Sequence, residues 1–158
     1  MKSFKQALIL GLVGAIAVFT TSYFQLPTWV LFIAWVSYYL FGTNPKSALL
    51  VFTQQILGVI IAIIIQYFGI KLSEPFGALG FPLVVFIVMI GVYYISKLKY
   101  LNNIPAYFLG MIVWFGSNET YNFNLFIVLG FTLIVGYIFA WVNVEINEKI
   151  NLKSQANE

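Results

Sequence analysis

The chain has 158 residues, of which 61% are hydrophobic, 19% aromatic and only 8% charged, with a net charge of +3 and a mean hydropathy of +0.94. A soluble domain carries about a quarter of its residues as Asp, Glu, Lys or Arg, so lipid is the expected solvent, and a sizeable extramembrane catalytic domain is excluded. His, Cys, Asp and Arg are absent and the eight lysines are scattered, which removes the materials of metal sites, nucleophilic triads, thiol chemistry and phosphate clamps, along with the clustered basic face of a nucleic-acid binder.

Segment one is predicted over about Lys5 to Phe24, behind Lys2 and Lys5. Its basic start, apolar run and Ala15-Ile16-Ala17 also fit a secretory signal, but apolar residues continue past that point, so it is taken as a retained crossing. Segment two follows Pro27, a residue suited to a first helical turn, from about Thr28 to Gly42. Segment three starts near Pro45 or Lys46 and ends near Ile70. After a turn-like Ser73-Glu74-Pro75, segment four covers about Gly77 to Ser96. Segment five runs from about Ile104 to Gly116 and segment six from about Asn122 to Asn143, followed by a polar tail. Glu145 and Lys149 stand four apart in the orientation that favours a helix pair, which extends segment six into solvent.

Six crossings of about 20 residues would use most of the chain. With both termini cytoplasmic, Lys2, Lys5, Lys46, Lys97, Lys99, Lys149 and Lys153 fall inside and only Lys71 outside, with Glu74 and Glu119. That distribution obeys the positive-inside rule. Five crossings remain possible if segment five dips in and returns. Tyr93, Tyr94 and Trp141 then lie near the inner interface and Tyr23, Trp29 and Tyr67 near the outer one, as an aromatic belt requires.

Sliding the chain over itself by 76 to 78 residues aligns Gly14 with Gly91, Pro27 with Pro105, Phe32-Ile33-Ala34 with Phe108-Leu109-Gly110, and Gly58 to Ala62 with Gly136 to Ala140. A slightly shorter offset aligns Phe41-Gly42-Thr43-Asn44 with Phe115-Gly116-Ser117-Asn118. The predicted fold is therefore all-α: a polytopic integral membrane protein with six transmembrane helices as a 3+3 inverted repeat. Residues 1–72 form the first three-helix repeat, 73–145 the second, and 146–158 a cytoplasmic tail. The middle segment of each half is short, reaching about 22 Å and about 20 Å against a hydrocarbon core of about 30 Å. Short, Pro- or Gly-interrupted segments at matching places in two halves point to a site near the midplane, although a locally thinned bilayer accommodates them equally well.

Candidate pore or solute-binding residues follow. Thr43, Asn44, Ser117 and Asn118 offer neutral donors and acceptors at the ends of the short segments, while Gly42 and Gly116 can simply terminate helices, as Asn can. Gln54 and Gln55 lie near the centre of segment three, and Gln54 aligns with Thr132 of segment six. Buried amides seek a partner. Gln54, Gly58 and Ala62 share one helical face, as do Thr132, Gly136 and Ala140, and small residues four apart let membrane helices approach closely. Packing of segment three on segment six is the plain expectation, with a pore lining as the sharper one. Gly11 and Gly14, with Ala7 and Ala15, are read as packing positions between helices or subunits.

Asn103-Ile104-Pro105-Ala106-Tyr107-Phe108-Leu109-Gly110, running on to Trp114-Phe115-Gly116, resembles the second-half motif of the YcdZ-like family of small bacterial inner-membrane proteins, the domain of unknown function DUF1097. The family pattern is Pro-Gly, a short gap, Phe, one further residue, Gly, then an aromatic and a small residue; Ala106 stands here in place of the first Gly. Phe32-Ile33-Ala34 and Tyr38-Tyr39 are similar to the first-half stretch, and the likeness runs from about Gly11 to Trp141. Trp114 joins the candidate residues through this motif. The resemblance implies a multi-pass fold in the bacterial inner (cytoplasmic) membrane and brings no substrate or catalytic residue with it.

No Lys or Glu falls inside a proposed span, which disfavours proton- or ion-coupled transport, although carbonyl oxygens could still bind an ion. The sequence therefore predicts a passive channel or facilitator for a small neutral polar solute of unknown identity. It would work in the lipid bilayer without cofactor, metal or catalysis, and as a homo-oligomer. The alternative is a non-transporting protein that assembles with a partner through its small-residue faces.

Overall fold

The computed structural model describes the backbone of residues 2–155 and the side chains of residues 3–152. The side chains of Lys2 and Lys153, which the charge argument counts, lie outside the described residues. Among the described residues the chain is all-helical: α1 (Lys2–Tyr23), α2 (Thr28–Phe41), α3 (Pro45–Phe76), a 3-10 turn at Gly77–Leu79, α4 (Gly80–Ile95), α5 (Ile104–Phe115) and α6 (Phe123–Gln155). Three helical runs, Ser3–Tyr23, Pro45–Ile95 and Phe123–Leu152, are long and apolar enough to cross a membrane; Thr28–Phe41 and Ile104–Phe115 are shorter and also apolar. Phe19, Phe86, Ile87 and Phe131 stand exposed on the long runs. Large exposed apolar faces of this kind fit a membrane-embedded protein.

Local chemistry sets the boundaries. Gln25 takes a positive φ of 53° just before Pro27 and the start of α2. Asn44 precedes Pro45, and its Oδ1 accepts the Ser47 amide at 3.0 Å, so an orphan donor of the first turn of α3 is satisfied. Asn103 does the same for α5, accepting from the Ala106 amide at 3.3 Å. α2 closes on Gly42 at φ 125°.

One boundary differs from the sequence reading. The turn expected at Ser73-Glu74-Pro75 is helical; the chain breaks at Gly77, with φ 56°. Pro75 sits within the last turn, where its missing amide disturbs little of the helix behind it, while glycine enters the left-handed region without a Cβ penalty. α6 continues past Asn143 to Gln155, in line with the solvated extension expected from Glu145 and Lys149.

The chain divides into two compact units, Met1–Ala48 with Phe126–Glu158, and Leu49–Leu125. These cut across the expected halves at 1–72 and 73–145. The unit formed by one continuous stretch, called inner for its place in the sequence alone, holds nearly all of α3 with α4 and α5; the other, called outer in the same sense, holds α1, α2 and nearly all of α6.

Within the inner unit, Gly69 lies against the Phe81 ring and Gly80 against the Leu72 backbone, so α4 folds back antiparallel to α3. Gly58 meets the Tyr107 carbonyl, and Gly110 meets that of Gln55. Contacts from Gln54 with Asn103 to Gln66 with Trp114 rise together in number, so α5 runs parallel to α3. Within the outer unit, a Cβ on Gly136 would stand 2.5 Å from the Leu31 carbonyl and 2.7 Å from the Ala34 methyl, and Tyr39 bonds Asn143, so α2 runs parallel to α6. α1 is antiparallel to both: Gln6 reaches Asn151, and Thr21 reaches Thr28.

The expected pairing of the Gly58 and Gly136 stripes with each other is thereby corrected. Each stripe is filled by the short helix of its own unit, because a glycine leaves room for a main-chain carbonyl to dock where any Cβ would collide.

Candidate functional site

In the inner unit two glutamines hold α5 at both ends. Gln54 Oε1 accepts the Asn103 amide at 2.7 Å, and its Nε2 donates to the Leu50 carbonyl at 3.0 Å. Twelve residues on, about 18 Å along a helix, Gln66 Oε1 accepts the Trp114 indole N–H at 2.8 Å and Nε2 donates to the Glu119 carbonyl at 3.0 Å. α5 itself has 12 residues, so the two amides match its length. Each amide uses both its donor and its acceptor. This arrangement positions a short helix and leaves little for a ligand.

The outer unit does the opposite. Asn143, Asn147 and Asn151 follow at spacings of four along α6 and share a face. Asn143 is 1% exposed. Its Oδ1 accepts the Tyr39 hydroxyl at 2.6 Å, and Asn147 Nδ2 donates to the Asn143 main-chain carbonyl at 2.9 Å. Gln6 Nε2 donates to Asn151 Oδ1 at 3.0 Å. Among the described residues, Asn143 Nδ2 and Asn147 Oδ1 are buried with no hydrogen-bond partner. Leaving such an atom unsatisfied costs about 1–3 kcal/mol, and native structures keep few of them without a reason. Both residues line a cleft of about 380 Å³, with Gln6, Ala7, Leu10 and Tyr39. No Lys or Glu lines it. A donor and an acceptor, both neutral, are thus held ready in one place.

Next to this cleft runs an apolar groove of about 310 Å³ between α1 and α2, lined by Leu10, Gly14, Phe32, Trp35, Val36 and Tyr39. Leu10 and Tyr39 belong to both.

The residues singled out from sequence fall differently. Asn44 caps α3, and its Nδ2 donates to Ser47 Oγ at 3.0 Å. Thr43 is exposed in the short link before it. Ser117 Oγ donates to the Trp114 carbonyl at 2.7 Å. Gly116 keeps a right-handed conformation, and the left-handed position falls on Asn118, at φ 54°. Thr43 and Asn44 belong to one unit, Ser117 and Asn118 to the other. Thr132 is buried and bonds back to Val128 within α6 at 2.7 Å. Gln55 is fully buried, and its carbonyl is the atom that Gly110 meets. Trp114 is a clamp residue. Ala62 and Ala140 are buried beside Gly58 and Gly136. An added Cβ at Gly11 or Gly14 meets nothing within 4 Å.

Sequence reasoning did not single out Gln66, Asn143 or Asn147. Gln66 stood in an apolar run and Asn143 at an apparent helix end. The one signal available was the Asn143-Asn147-Asn151 spacing along the expected extension of segment six.

No curated protein and no solved structure matches the chain. A family model described as a protein of unknown function, DUF1097, matches residues 7–147, a stretch that takes in α2 to α5 and both residues with the unpartnered amide atoms. The chain therefore belongs to the DUF1097 family.

Proposed function

We propose that this protein is a passive facilitator for a small neutral polar solute in the bacterial inner membrane, working without a cofactor and without catalysis. The observation that carries the reading is the outer-unit cleft, where a buried amide donor on Asn143 and a buried amide acceptor on Asn147 lack partners. A neutral solute with a donor and an acceptor would satisfy both, and an ion would find no counter-charge in the cleft lining. Six crossings in a 3+3 inverted repeat, with both termini cytoplasmic, fit the same facts. α4 runs opposite to α3 and α5, and α1 opposite to α2 and α6, as alternating passes require. The internal plan of the two units is alike, with a short helix laid parallel on a long one at a glycine.

Uptake of glycerol and urea into proteoliposomes tests this. Flux above that of protein-free vesicles, lost on Asn143→Leu, is the expected result. Permeability equal to that of empty vesicles across a panel of neutral solutes would reject it.

The second reading, assembly with a partner or a further copy, is favoured by one observation: the Gly11 and Gly14 face of α1 is open, whereas the Gly58 and Gly136 faces are filled. Recovery of a stoichiometric partner that is released by Gly11→Leu, together with absent solute flux, would select it.

A further inference from the structure

The polar cleft and the apolar groove of the outer unit share Leu10 and Tyr39 in their linings. One part therefore offers amide residues and the other an apolar wall, and Tyr39, whose hydroxyl bonds Asn143, lines both. We infer that the cleft and the groove together are a binding site for a neutral single-chain amphiphile, with its hydroxyl or amide head at Asn143 and Asn147 and its chain along Gly14, Phe32 and Trp35. The inference rests on the proposed reading that the cleft takes a neutral hydrogen-bonding group, and it adds that the group carries a hydrocarbon tail.

Three features specify the ligand. The head must be uncharged, because no Lys or Glu lines either part and a desolvated ion would be unpaired. It must both donate and accept, because Asn143 Nδ2 lacks an acceptor and Asn147 Oδ1 lacks a donor; a hydroxyl or a primary amide does both. The tail must be a single chain, because the apolar part, at about 310 Å³, lies at the low end of the roughly 300–1,000 Å³ typical of small-ligand pockets. Gly14 matters through what it lacks. An added Cβ there meets no atom within 4 Å, so the groove is open at the point where a larger residue would fill it.

The test uses the full chain in phosphatidylcholine nanodiscs titrated with a monoacylglycerol whose chain carries bromine, read by quenching of tryptophan fluorescence. The expected result is a saturable component that Trp35→Phe removes. Asn143→Leu and Gly14→Leu should each raise its half-saturation at least tenfold. Gly14→Leu places its side chain in open space, so unchanged thermal unfolding of that variant keeps a folding defect from being mistaken for lost binding. Brominated phosphatidylcholine, with two such chains and a zwitterionic head, should give only the non-saturable background, and glycerol should compete only at concentrations far above the half-saturation of the monoacylglycerol. If glycerol competes as well as the monoacylglycerol, the tail is irrelevant: the inference falls while the neutral-solute reading stands. If neither probe binds in a saturable way, both fail. Equal quenching by both brominated lipids, indifferent to Asn143→Leu, means ordinary bilayer contact and also overturns the inference.

Discussion

The two units share a plan and differ in how they treat their polar atoms. In the inner unit, α5 lies on α3 with Gly58 and Gly110 each under a carbonyl of the other helix, and Gln54 and Gln66 close every amide valence that the arrangement needs. In the outer unit, α2 lies on α6 at Gly136 alone, since Ala34 stands where α5 has Gly110. The offsets that align the two halves set Tyr38 opposite Trp114 and Val144 opposite Gln66. Val144 offers no amide, and the Tyr38 hydroxyl is buried without a partner among the described residues. Asn143 and Asn147, one position before and three after Val144, carry the other two unpartnered groups. The same framework thus yields a locked helix pair in one unit and an open, amide-lined cleft in the other. Unsatisfied buried atoms reduce stability, and they are also what gives a ligand something to bind.

The largest way to break this comparison is at the glycines of the inner unit. Gly110→Ala drives a methyl into the Gln55 carbonyl and should cost about 1–3 kcal/mol, seen as a marked fall in the detergent thermal-unfolding midpoint. Gly14→Ala, which meets open space, should leave it unchanged or raise it. Next in size, Gln66→Leu removes two hydrogen bonds and strands the Trp114 indole. A loss of about 1–2 kcal/mol is expected, together with altered tryptophan emission, and an unchanged midpoint would show that α5 does not depend on its clamp.

Asn143→Leu should behave differently. It removes the Tyr39 partner and also an unsatisfied donor, so stability should move by about 0.6 kcal/mol while solute flux is lost. A large destabilisation with flux retained would make Asn143 structural. The smallest effect sharpens the comparison: Val144→Gln supplies to Tyr38 the amide that Gln66 supplies to Trp114. A gain of a few tenths of a kcal/mol, up to about 0.6, supports the equivalence of the two positions, and a loss argues against it.

Much of the fold was legible in the sequence because it rests on local chemistry. The apolar runs, the two short helices, the start of α3 near Pro45 and the role of Gly42 each depend on a few adjacent residues. Gly77 was missed in favour of Ser73-Glu74-Pro75, since proline at the end of a helix and proline in a turn look alike from neighbours alone. The candidate site was much less legible. Gln54 was recognised as an amide in need of a partner, but Asn103, its partner, lies 49 positions away, and nothing local pairs them.

Composition by itself determined the solvent, because 8% charged residues cannot cover a surface in water, and spacing determined which helices are long and which are short. Only the tertiary structure decided which helix fills each glycine face, and hence that Gly58 takes α5 and Gly136 takes α2. It also decided that Asn143 and Asn147 keep amide atoms free while Gln54 and Gln66 do not. Those outcomes depend on what stands across a helix interface, where direction and register are set by the whole chain and not by the residues on either side of the amide.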